Sequence, residues 1–402
     1  MTPSSARHLW TLSAAQLFAG SGSIIFFTFG GIIGADMAPR AGLSTLPLAL
    51  AVIGTALTSL PAALIMQRIG RRSGFIVSAL LASFAALFCA YSIAHHDFIG
   101  FCIAALLFGF NMAFVQQYRF AAIELLAPEH TPRAVASVMS ATLIGVIVWP
   151  ELGSRLRFMA DLTEFSGTFI LIAVLCWTAI AILSALPPML TVKHEQIKSS
   201  RSVSQAVSNT TTMVAILAGI CSFAVMSFIM VATPISMHKL DAMSVEQTKQ
   251  VISLHLVAMY LPSLISSWLI RTLGHLWLML LGVLCMSACV AMSMVLGHHF
   301  MHYLGALVLL GVGWNFLFVS GTTLLASSYT ASDRFKIQGF NDLVVFGTQA
   351  LVSVASGPVI LMLGWEKLNL LAIPMLVLMT VGIAWLWQQR KFDERTIRVE
   401  NA

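Results

Sequence analysis

Long apolar stretches alternate with short polar ones along the whole chain. Each apolar stretch has about 20 residues or more, the length that a helix needs to cross the hydrocarbon core of a bilayer. The pattern predicts twelve membrane-spanning helices, spans 1 to 12, at about residues 9–35, 42–66, 73–94, 98–124, 134–154, 166–188, 211–237, 248–270, 276–297, 301–326, 342–364 and 367–388.

The longest mostly polar stretch lies in the middle of the chain, between span 6 and span 7. It divides the spans into two sets of six. We therefore predict an all-α integral membrane protein with twelve transmembrane helices in two pseudo-symmetric six-helix bundles. The predicted parts are an N-terminal bundle at 1–188, a cytoplasmic linker at 189–210, a C-terminal bundle at 211–388 and a cytoplasmic tail at 389–402.

The composition supports the same class of protein. Of the 402 residues, 58% are hydrophobic and 9% are charged, and the mean hydropathy is +0.89. Soluble domains have about 25% charged residues, so this chain has too few charges to cover a water-exposed surface. All six cysteines lie within apolar runs and lack metal-site spacing, so we interpret them as small buried hydrophobic residues.

The basic residues predict the orientation in the membrane. With a cytoplasmic N-terminus, fifteen of the 22 Lys and Arg residues fall in inner segments, six fall in outer segments, and Arg119 lies within a span. Because cytoplasmic loops carry the excess of Lys and Arg, we predict that both termini are cytoplasmic and that the protein lies in the cell inner membrane. The net charge of +6 then reflects topology and does not indicate nucleic-acid binding.

The two halves of the chain share a sequence block. Gly313–Val319 repeats Gly109–Val115 at an offset of 204, and the same offset relates Gly274 to Gly70. An internal duplication explains matches at one constant offset. The alternative is a chance match in a low-complexity apolar chain.

The loop after span 2 carries a motif. Arg68, Gly70, Arg71 and Arg72 match the pattern G-x-L-a-D-R-x-G-R-[RK], whereas Ala63 and Gln67 stand where that pattern has Gly and Asp. With twelve spans and a central linker, this loop resembles that of the major facilitator superfamily. The resemblance implies a cytoplasmic latch that also includes Glu124, Arg133 and Asp342. It further implies that the uncharged Gln67 holds the latch more weakly than Asp, and that Asp342 is a structural acid at the start of span 11.

Four further blocks are similar to a bacterial branch of this family that includes riboflavin transporters of rhizobia. The blocks are Gln117–Ala122, Val251–Ser263, Gly313–Leu324 and Gln338–Thr348. The resemblance implies an inner-membrane carrier for a small organic molecule.

Arg119 is the clearest candidate for a functional residue, since an ionisable side chain within the bilayer costs about 2.5–3.5 kcal/mol on insertion scales. We expect it to face a central cavity and to bind an anionic or polar part of the substrate, or a carboxylate that takes up a proton. The alternative is a pair with Glu124 or a side chain that extends to the inner surface. Gln116 lies three residues earlier and is expected on a similar face of the helix, whereas Gln117 and Tyr118 point elsewhere.

Other intramembrane polar and aromatic residues are candidates for the same site. His255 can act as a proton site or a hydrogen-bonding group, or it can be a packing residue. The repeat mates Asn111 and Asn315 can line the cavity or hold helices together. Trp314 can stack on a flat ring, and Gln349 in span 11 is a further candidate for the cavity lining.

Two acids at the outer ends of spans are candidates for proton coupling. Asp36 lies near Arg40, and Glu151 lies one turn before Arg155, so both can instead form salt bridges or gates. Two histidine-containing outer turns, with His95 and His96 in one and His298, His299 and His302 in the other, are exposed and lie on separate halves. We therefore predict no metal site.

These features together predict a secondary transporter that works by alternating access around a site near the midplane. The chain has no GxxxxGK[ST] segment for nucleotide binding and no HExxH or GxSxG motif, so we predict neither ATP use nor an enzyme. We expect proton-coupled uptake of a flavin-like or other polar-aromatic metabolite by a monomer without a cofactor. Export of a siderophore or an amphiphilic drug is the alternative.

Overall fold

The computed structural model describes residues 3–40, 43, 46–159, 163–186, 205, 207–237, 241–295 and 299–400. Most of the predicted linker at 189–210, and His298, lie outside the described residues. The described part of the chain is helical and contains no strand. This confirms the predicted all-α membrane fold.

The described residues of the first half contain eight α-helices. They are α1 Pro3–Ala19, α2 Ser21–Met37, α3 Leu46–Ile69, α4 Arg71–Ala94, α5 Phe98–Gln116, α6 Tyr118–Glu124, α7 Thr131–Arg155 and α8 Ser166–Ser184. Span 1 corresponds to α1 and α2, which are separated at Gly20, and span 4 corresponds to α5 and α6, which are separated at Gln117. Spans 2, 3, 5 and 6 correspond to α3, α4, α7 and α8.

The second half contributes further helices in the described residues. They are α9 Thr210–Ile235, α10 Val245–Tyr260, α11 Ser263–Leu273, α12 His275–Val295, α13 Phe300–Ala326, α14 Arg334–Leu370 and α15 Ile373–Glu400. Span 8 corresponds to α10 and α11, which meet at a bend of 42°. Pro262 lies at this bend, where it has no N–H to donate to the preceding turn.

Ten helical segments in the described residues are long and apolar enough to cross a membrane, and the bent α10–α11 pair is an eleventh. One of the ten runs over 58 residues, Arg334–Lys391. At about 1.5 Å per residue this run is nearly three times as long as the hydrocarbon core is thick. It is interrupted at Gly364, where φ is 80°, so it accommodates both span 11 and span 12.

The chain forms two compact units. The first consists of Met1–Ser200 and Ala331–Ala350, and the second consists of Arg201–Thr330 and Leu351–Ala402. The N-terminal part of α14 thus packs within the first unit, although sequence order assigns it to the C-terminal bundle. The predicted domain boundaries stay a prediction.

The core of the first unit is aromatic. Phe26 of α2 lies at the centre, with its ring centroid 5.8 Å from that of Phe101, 5.5 Å from that of Phe108 and 6.4 Å from that of Phe169. All four side chains are buried. They join α2, α5 and α8, and α5 leads directly into the segment that carries Gln117 and Arg119.

Candidate functional site

Eight polar side chains of the first unit form one hydrogen-bonded and ion-paired network. It is built from the start of α4, the α5–α6 break, the end of α6 and the first turns of α14. Its members are Arg71, Gln117, Arg119, Glu124, Arg334, Gln338, Asn341 and Asp342.

Arg71 contacts three other members of the network. Its guanidinium forms a two-pronged ion pair with Glu124, with Nη2 2.5 Å from Oε1 and Nε 3.3 Å from Oε2. It also donates to Oε1 of Gln117 at 2.8 Å and to Oε1 of Gln338 at 2.6 Å. The guanidinium carbon lies 4.6 Å from the ring centroid of Phe335. Arginine suits this position because its planar group offers five donors in fixed directions.

Arg119 and Asp342 form a second ion pair deeper in the unit. Nη2 of Arg119 donates to Oδ1 of Asp342, and each side chain is 1% exposed. Two further donors reach the carboxylate: Nε2 of Gln117 at 2.7 Å from Oδ2, and Nδ2 of Asn341 at 2.9 Å from Oδ1. Gln117 therefore joins the two ion pairs, since it accepts from Arg71 and donates to Asp342.

Local backbone features place these side chains. Gly70 has φ 87° and ψ 156°, so α4 begins immediately after α3 and Arg71 is its first residue. Gln117 has φ −78° and ψ −10° and separates α5 from α6. Because the helix is interrupted there, Gln117 and Arg119 both reach the same carboxylate.

The five charged members carry three positive charges, on Arg71, Arg119 and Arg334, and two negative charges, on Glu124 and Asp342. Arg334 lies 3.6 Å from Glu124. Burial of a charge is tolerated when it is paired and hydrogen-bonded, whereas removal of one partner of a buried pair typically costs about 3–5 kcal/mol. Each ion pair therefore holds its helices together strongly, because its separation would leave a charge without its partner.

The structure bears on three expectations about this region. Arg119 pairs with the carboxylate of Asp342 and not with Glu124, the alternative partner, which pairs with Arg71; its predicted contact with substrate stays a prediction. Gln117, and not the half-buried Gln116, joins the network, because the break at Gln117 changes the helical register that the prediction assumed. Asp342 lies inside α14, which begins two turns earlier at Arg334, so it is not an acid at a helix N-terminus.

The remaining predicted latch residues lie around the network. Arg72 donates to the carbonyl oxygen of Ser184 at 2.8 Å. Arg68 and Arg133 are exposed, and Gln67 is half-buried. Gln338, which sequence reasoning assigned to no role, contacts Arg71 directly. Gln338 is the first residue of one of the four blocks that are similar to the bacterial branch of the family, and this position was the available sequence signal.

The paired asparagines hold helices together. Asn111 of α5 donates to the carbonyl and hydroxyl oxygens of Ser78 on α4. Asn315 of α13 donates to the carbonyl oxygen of Met259 and to Ser263, and accepts from Ser266. Both are buried. These contacts correspond to the structural alternative for the two residues.

His255 and Trp314 lie in the second unit, and each retains a polar atom without a partner among the described residues. Nδ1 of His255 donates to the carbonyl oxygen of Leu307 at 2.7 Å, so the buried Nε2 is an acceptor, and it has no donor. Trp314 stacks on Phe318 and meets Phe223 and Tyr260 edge-on. Its Nε1–H is also unpaired.

The other predicted site residues lie elsewhere. Gln349 is a half-buried residue of α14. Asp36 is exposed. Glu151 forms an exposed salt bridge with Arg155, in which Nε lies 2.8 Å from Oε1. A salt bridge was one of the alternatives to proton coupling for this acid.

A polar contact at the break in span 1 was also missed. Nε1 of Trp149 on α7 donates to the carbonyl oxygen of Leu17 at 3.0 Å, next to the break at Gly20. Gln16, one turn before the break, faces Thr142 of α7 at 3.5 Å. A glutamine inside the first apolar run was the sequence signal for this contact.

A model of the Major Facilitator Superfamily matches the chain at residues 12–240 and 215–401. The chain belongs to this family. The two matches overlap and together cover nearly all of the sequence, one for each half. As a member of the family, the chain is a multi-pass membrane transporter of small molecules and not an enzyme.

Relatives of known sequence are similar over almost their full length. The riboflavin transporter RfnT of Brucella anthropi is 33% identical over 381 residues, which are 94% of this chain and 95% of the relative. The uncharacterized MFS-type transporter YddS of Bacillus subtilis (strain 168) is 27% identical over 413 residues, covering 97% of this chain and 92% of the relative.

Solved structures of transporters have the same fold. A Major Facilitator Superfamily transporter, FucP, in the outward conformation superposes with a TM-score of 0.74 at 12% identity, and covers 94% of this chain and 97% of its own. A bacterial homologue of the iron transporter ferroportin, in an outward-facing state, gives a TM-score of 0.73 at 14% identity and covers 94% and 98%. At these identities the likeness establishes the fold alone.

Proposed function

We propose that this chain is a secondary active transporter that takes up a flavin-like or other polar-aromatic metabolite across the cell inner membrane, by alternating access coupled to protons. The observation that carries the proposal is the similarity to a riboflavin transporter, at 33% identity over 94% of this chain. The protein acts as a monomer, with both termini in the cytoplasm.

The ion-paired network supports alternating access. It ties the first turns of α14 to the start of α4 and to α6 through ion pairs in which Arg71, Arg119 and Asp342 are buried. In this proposal the network closes the cytoplasmic end of the transporter and separates when that end opens. Gln67, Arg68, Arg72 and Arg133 flank it on the cytoplasmic side. In this proposal the network is either paired or separated, because packed interfaces change between discrete arrangements and do not deform continuously.

Two residues are the best candidates for contact with the substrate ring. Both side chains are buried, and among the described residues the Trp314 N–H has no acceptor and the His255 Nε2 has no donor. A polar-aromatic ligand has the matching chemistry, because it presents hydrogen-bond donors and acceptors at the edge of a flat ring. Gln116 and Gln349, both half-buried residues of the first unit, stay predicted substrate-binding residues. Asn111 and Asn315 hold helices together within their own units.

Thermal unfolding of the purified protein in detergent tests the substrate class. A ligand that binds only the folded state adds about 2.7 kcal/mol of stability at one hundred times its dissociation constant. Riboflavin is expected to raise the Tm, and siderophores with and without iron, or amphiphilic drugs, are expected to leave it unchanged. Trp314→Phe should weaken the riboflavin response. Trp177→Phe, at a tryptophan that is 55% exposed, is the matched control.

Uptake of riboflavin into proteoliposomes under an imposed pH gradient tests the direction and the coupling. A siderophore or drug that stabilises the protein, with no response to riboflavin, would contradict the substrate class and favour the export alternative. Transport of riboflavin without any effect of the pH gradient would contradict proton coupling alone.

A further inference from the structure

Asp342 is a buried carboxylate, and opposing effects act on its charge. Its side chain is 1% exposed, and its two oxygens accept from Arg119, Gln117 and Asn341. Burial favours the neutral acid, whereas a guanidinium partner and N–H donors favour the charged carboxylate. The charge on Asp342 therefore depends on whether its partners remain in contact.

Separation of Arg119 from Asp342 changes this balance. A buried carboxylate without its guanidinium partner is far less stable than the neutral acid. Asp342 then takes a proton from water onto a carboxylate oxygen and becomes a carboxylic acid, while Arg119 keeps its own proton and its positive charge. One proton is bound for each pair that separates, and one is released for each pair that re-forms.

The other charges of the network act in the same direction. Arg119 on α6 donates to Asp342, Arg71 on α4 reaches Asp342 through Gln117, and Arg71 and Arg334 share Glu124. When Asp342 is neutral, three guanidiniums remain with one carboxylate. Proton binding thus weakens the closed network, and by thermodynamic reciprocity opening of the network promotes proton binding.

The two acids that the sequence suggested for proton coupling are not buried. Asp36 is exposed, and in the Glu151–Arg155 pair the side chains of Glu151 and Arg155 are 64% and 74% exposed. A proton on an exposed acid exchanges with water without any change in conformation. A coupling residue has to be one whose access to protons changes during the transport cycle.

We propose that Asp342 carries the co-transported proton and that Arg119 acts as a positioning residue that controls when Asp342 can bind and release it. The inference rests on the proposed function. With substrate bound, a proton that arrives from the outer side binds a carboxylate oxygen of Asp342 and permits the network to separate. After substrate release the proton leaves toward the cytoplasm, and the Arg119–Asp342 pair re-forms and closes that end. One turn of this cycle moves one proton and one substrate molecule inward.

The full-length protein in proteoliposomes, with riboflavin as the probe, tests the proposal through Asp342→Asn, which mimics the protonated side chain. With one proton per substrate molecule, a gradient of one pH unit supports roughly tenfold accumulation. Wild type is expected to approach this ratio, and Asp342→Asn is expected to reach only equilibration. Exchange of external for internal riboflavin needs no net proton movement, so the variant should retain it.

Glu164→Gln is the matched control, because Arg157–Glu164 is another arginine–carboxylate pair of the first unit, 3.6 Å apart and 41% and 48% exposed. It should accumulate riboflavin as wild type does. Proton-driven accumulation by Asp342→Asn at the wild-type level would overturn the proposal for Asp342 and leave the transporter intact. Absence of both uptake and exchange in wild type would instead overturn the proposed function.

If Asp342→Asn also loses exchange, the double variant Arg119→Gln/Asp342→Asn decides the matter, since it removes the charge that the single variant leaves unpaired. Exchange without accumulation in the double variant supports the proposal, whereas restored accumulation overturns it. Proton uptake on riboflavin binding in detergent needs no turnover. It is expected for wild type and absent in the variants, and equal uptake in all of them would contradict the proposal.

Discussion

At the scale of single residues, buried asparagine side chains and His255 form hydrogen bonds between helices. Asn111 and Asn315 occupy equivalent positions in the repeated block, yet Asn111 bonds to α4 and Asn315 bonds to α10 and α11. The same residue type at equivalent positions thus holds different pairs of helices. A polar residue in a span is not by itself evidence of a substrate site, because interhelical hydrogen bonds use the same side chains.

We expect Asn315→Ala to destabilise the protein without weakening riboflavin binding. The substitution removes three hydrogen bonds and leaves the buried Ser263 hydroxyl and Met259 carbonyl without this partner, at a cost of about 1–3 kcal/mol. The Tm in detergent and the affinity for riboflavin measure the two effects separately. Thr272→Ala, at an exposed threonine that bonds only within its own helix, is the control. Unchanged stability with weaker binding would contradict the structural role.

At the scale of helices and their junctions, three glycines connect successive helical segments with almost no loop. Gly70, Gly274 and Gly364 have φ of 87°, 84° and 80°, with ψ between 156° and 175°. This backbone region is essentially restricted to glycine. Gly70 and Gly274, the pair related by the offset of 204, adopt the same conformation at equivalent junctions, between α3 and α4 and between α11 and α12.

Two glycine-to-alanine substitutions are expected to have opposite effects. A Cβ at Gly274 or at Gly347 would meet no atom within 4 Å, so backbone conformation alone decides the outcome. Gly274→Ala should cost about 1–3 kcal/mol, because alanine disfavours a positive φ with extended ψ. Gly347→Ala, inside α14, should gain about 0.5–1 kcal/mol. Tm values compare the two, and equal shifts would contradict the conformational explanation.

A glycine also permits close helix packing where α14 meets α3. The loop motif places Gly where this chain has Ala63, and Gly339 of α14 lies opposite. A Cβ on Gly339 would lie 2.9 Å from Cβ of Ala63 and 3.3 Å from Cα of Leu60. The glycine that permits close approach of the two helices is therefore Gly339 on α14, whereas α3 has alanine at the position where the motif has glycine.

Gly339→Ala should push α14 away from α3 and weaken the network that begins beside it. We expect a lower Tm and faster labelling of a cysteine introduced at Gln338. Adding Ala63→Gly should restore much of both properties, because it removes the methyl group that the introduced methyl group on α14 would meet. Ala62→Gly, on the same helix, should not restore them. Failure of Ala63→Gly to rescue would show that the contact does not control the network.

At the scale of the whole molecule, hydrophobic length and charge distribution agree. Helices long and apolar enough to cross a membrane occur along nearly all of the described chain, and the Lys and Arg residues concentrate in alternate connections. In a chain with only 9% charged residues, the first unit buries the side chains of Arg71, Arg119 and Asp342. Buried charges in a membrane protein are costly, are typically paired and often mark functional sites.

Cysteine labelling in intact cells tests the predicted orientation. In a variant that lacks the six native cysteines, Phe158→Cys between spans 5 and 6 should react with a membrane-impermeant reagent from outside. Glu129→Cys, between spans 4 and 5, should react only after the membrane is permeabilised. Both positions are exposed, so access and not burial decides the result. The reverse pattern would place the termini and the ion-paired network on the outer side.

The sequence by itself determined the membrane class, the approximate position of every span and the family, because hydrophobic length, charge and a loop motif are properties of consecutive residues. It also singled out Arg119 and the motif residue Arg71. Only the tertiary structure decided their partners. Asp342 lies 223 positions from Arg119, and Gln117 joins the two ion pairs because the helix is interrupted at that residue. Contacts of this kind depend on which helices meet and at which turn, and a pattern along one helix carries no information about either.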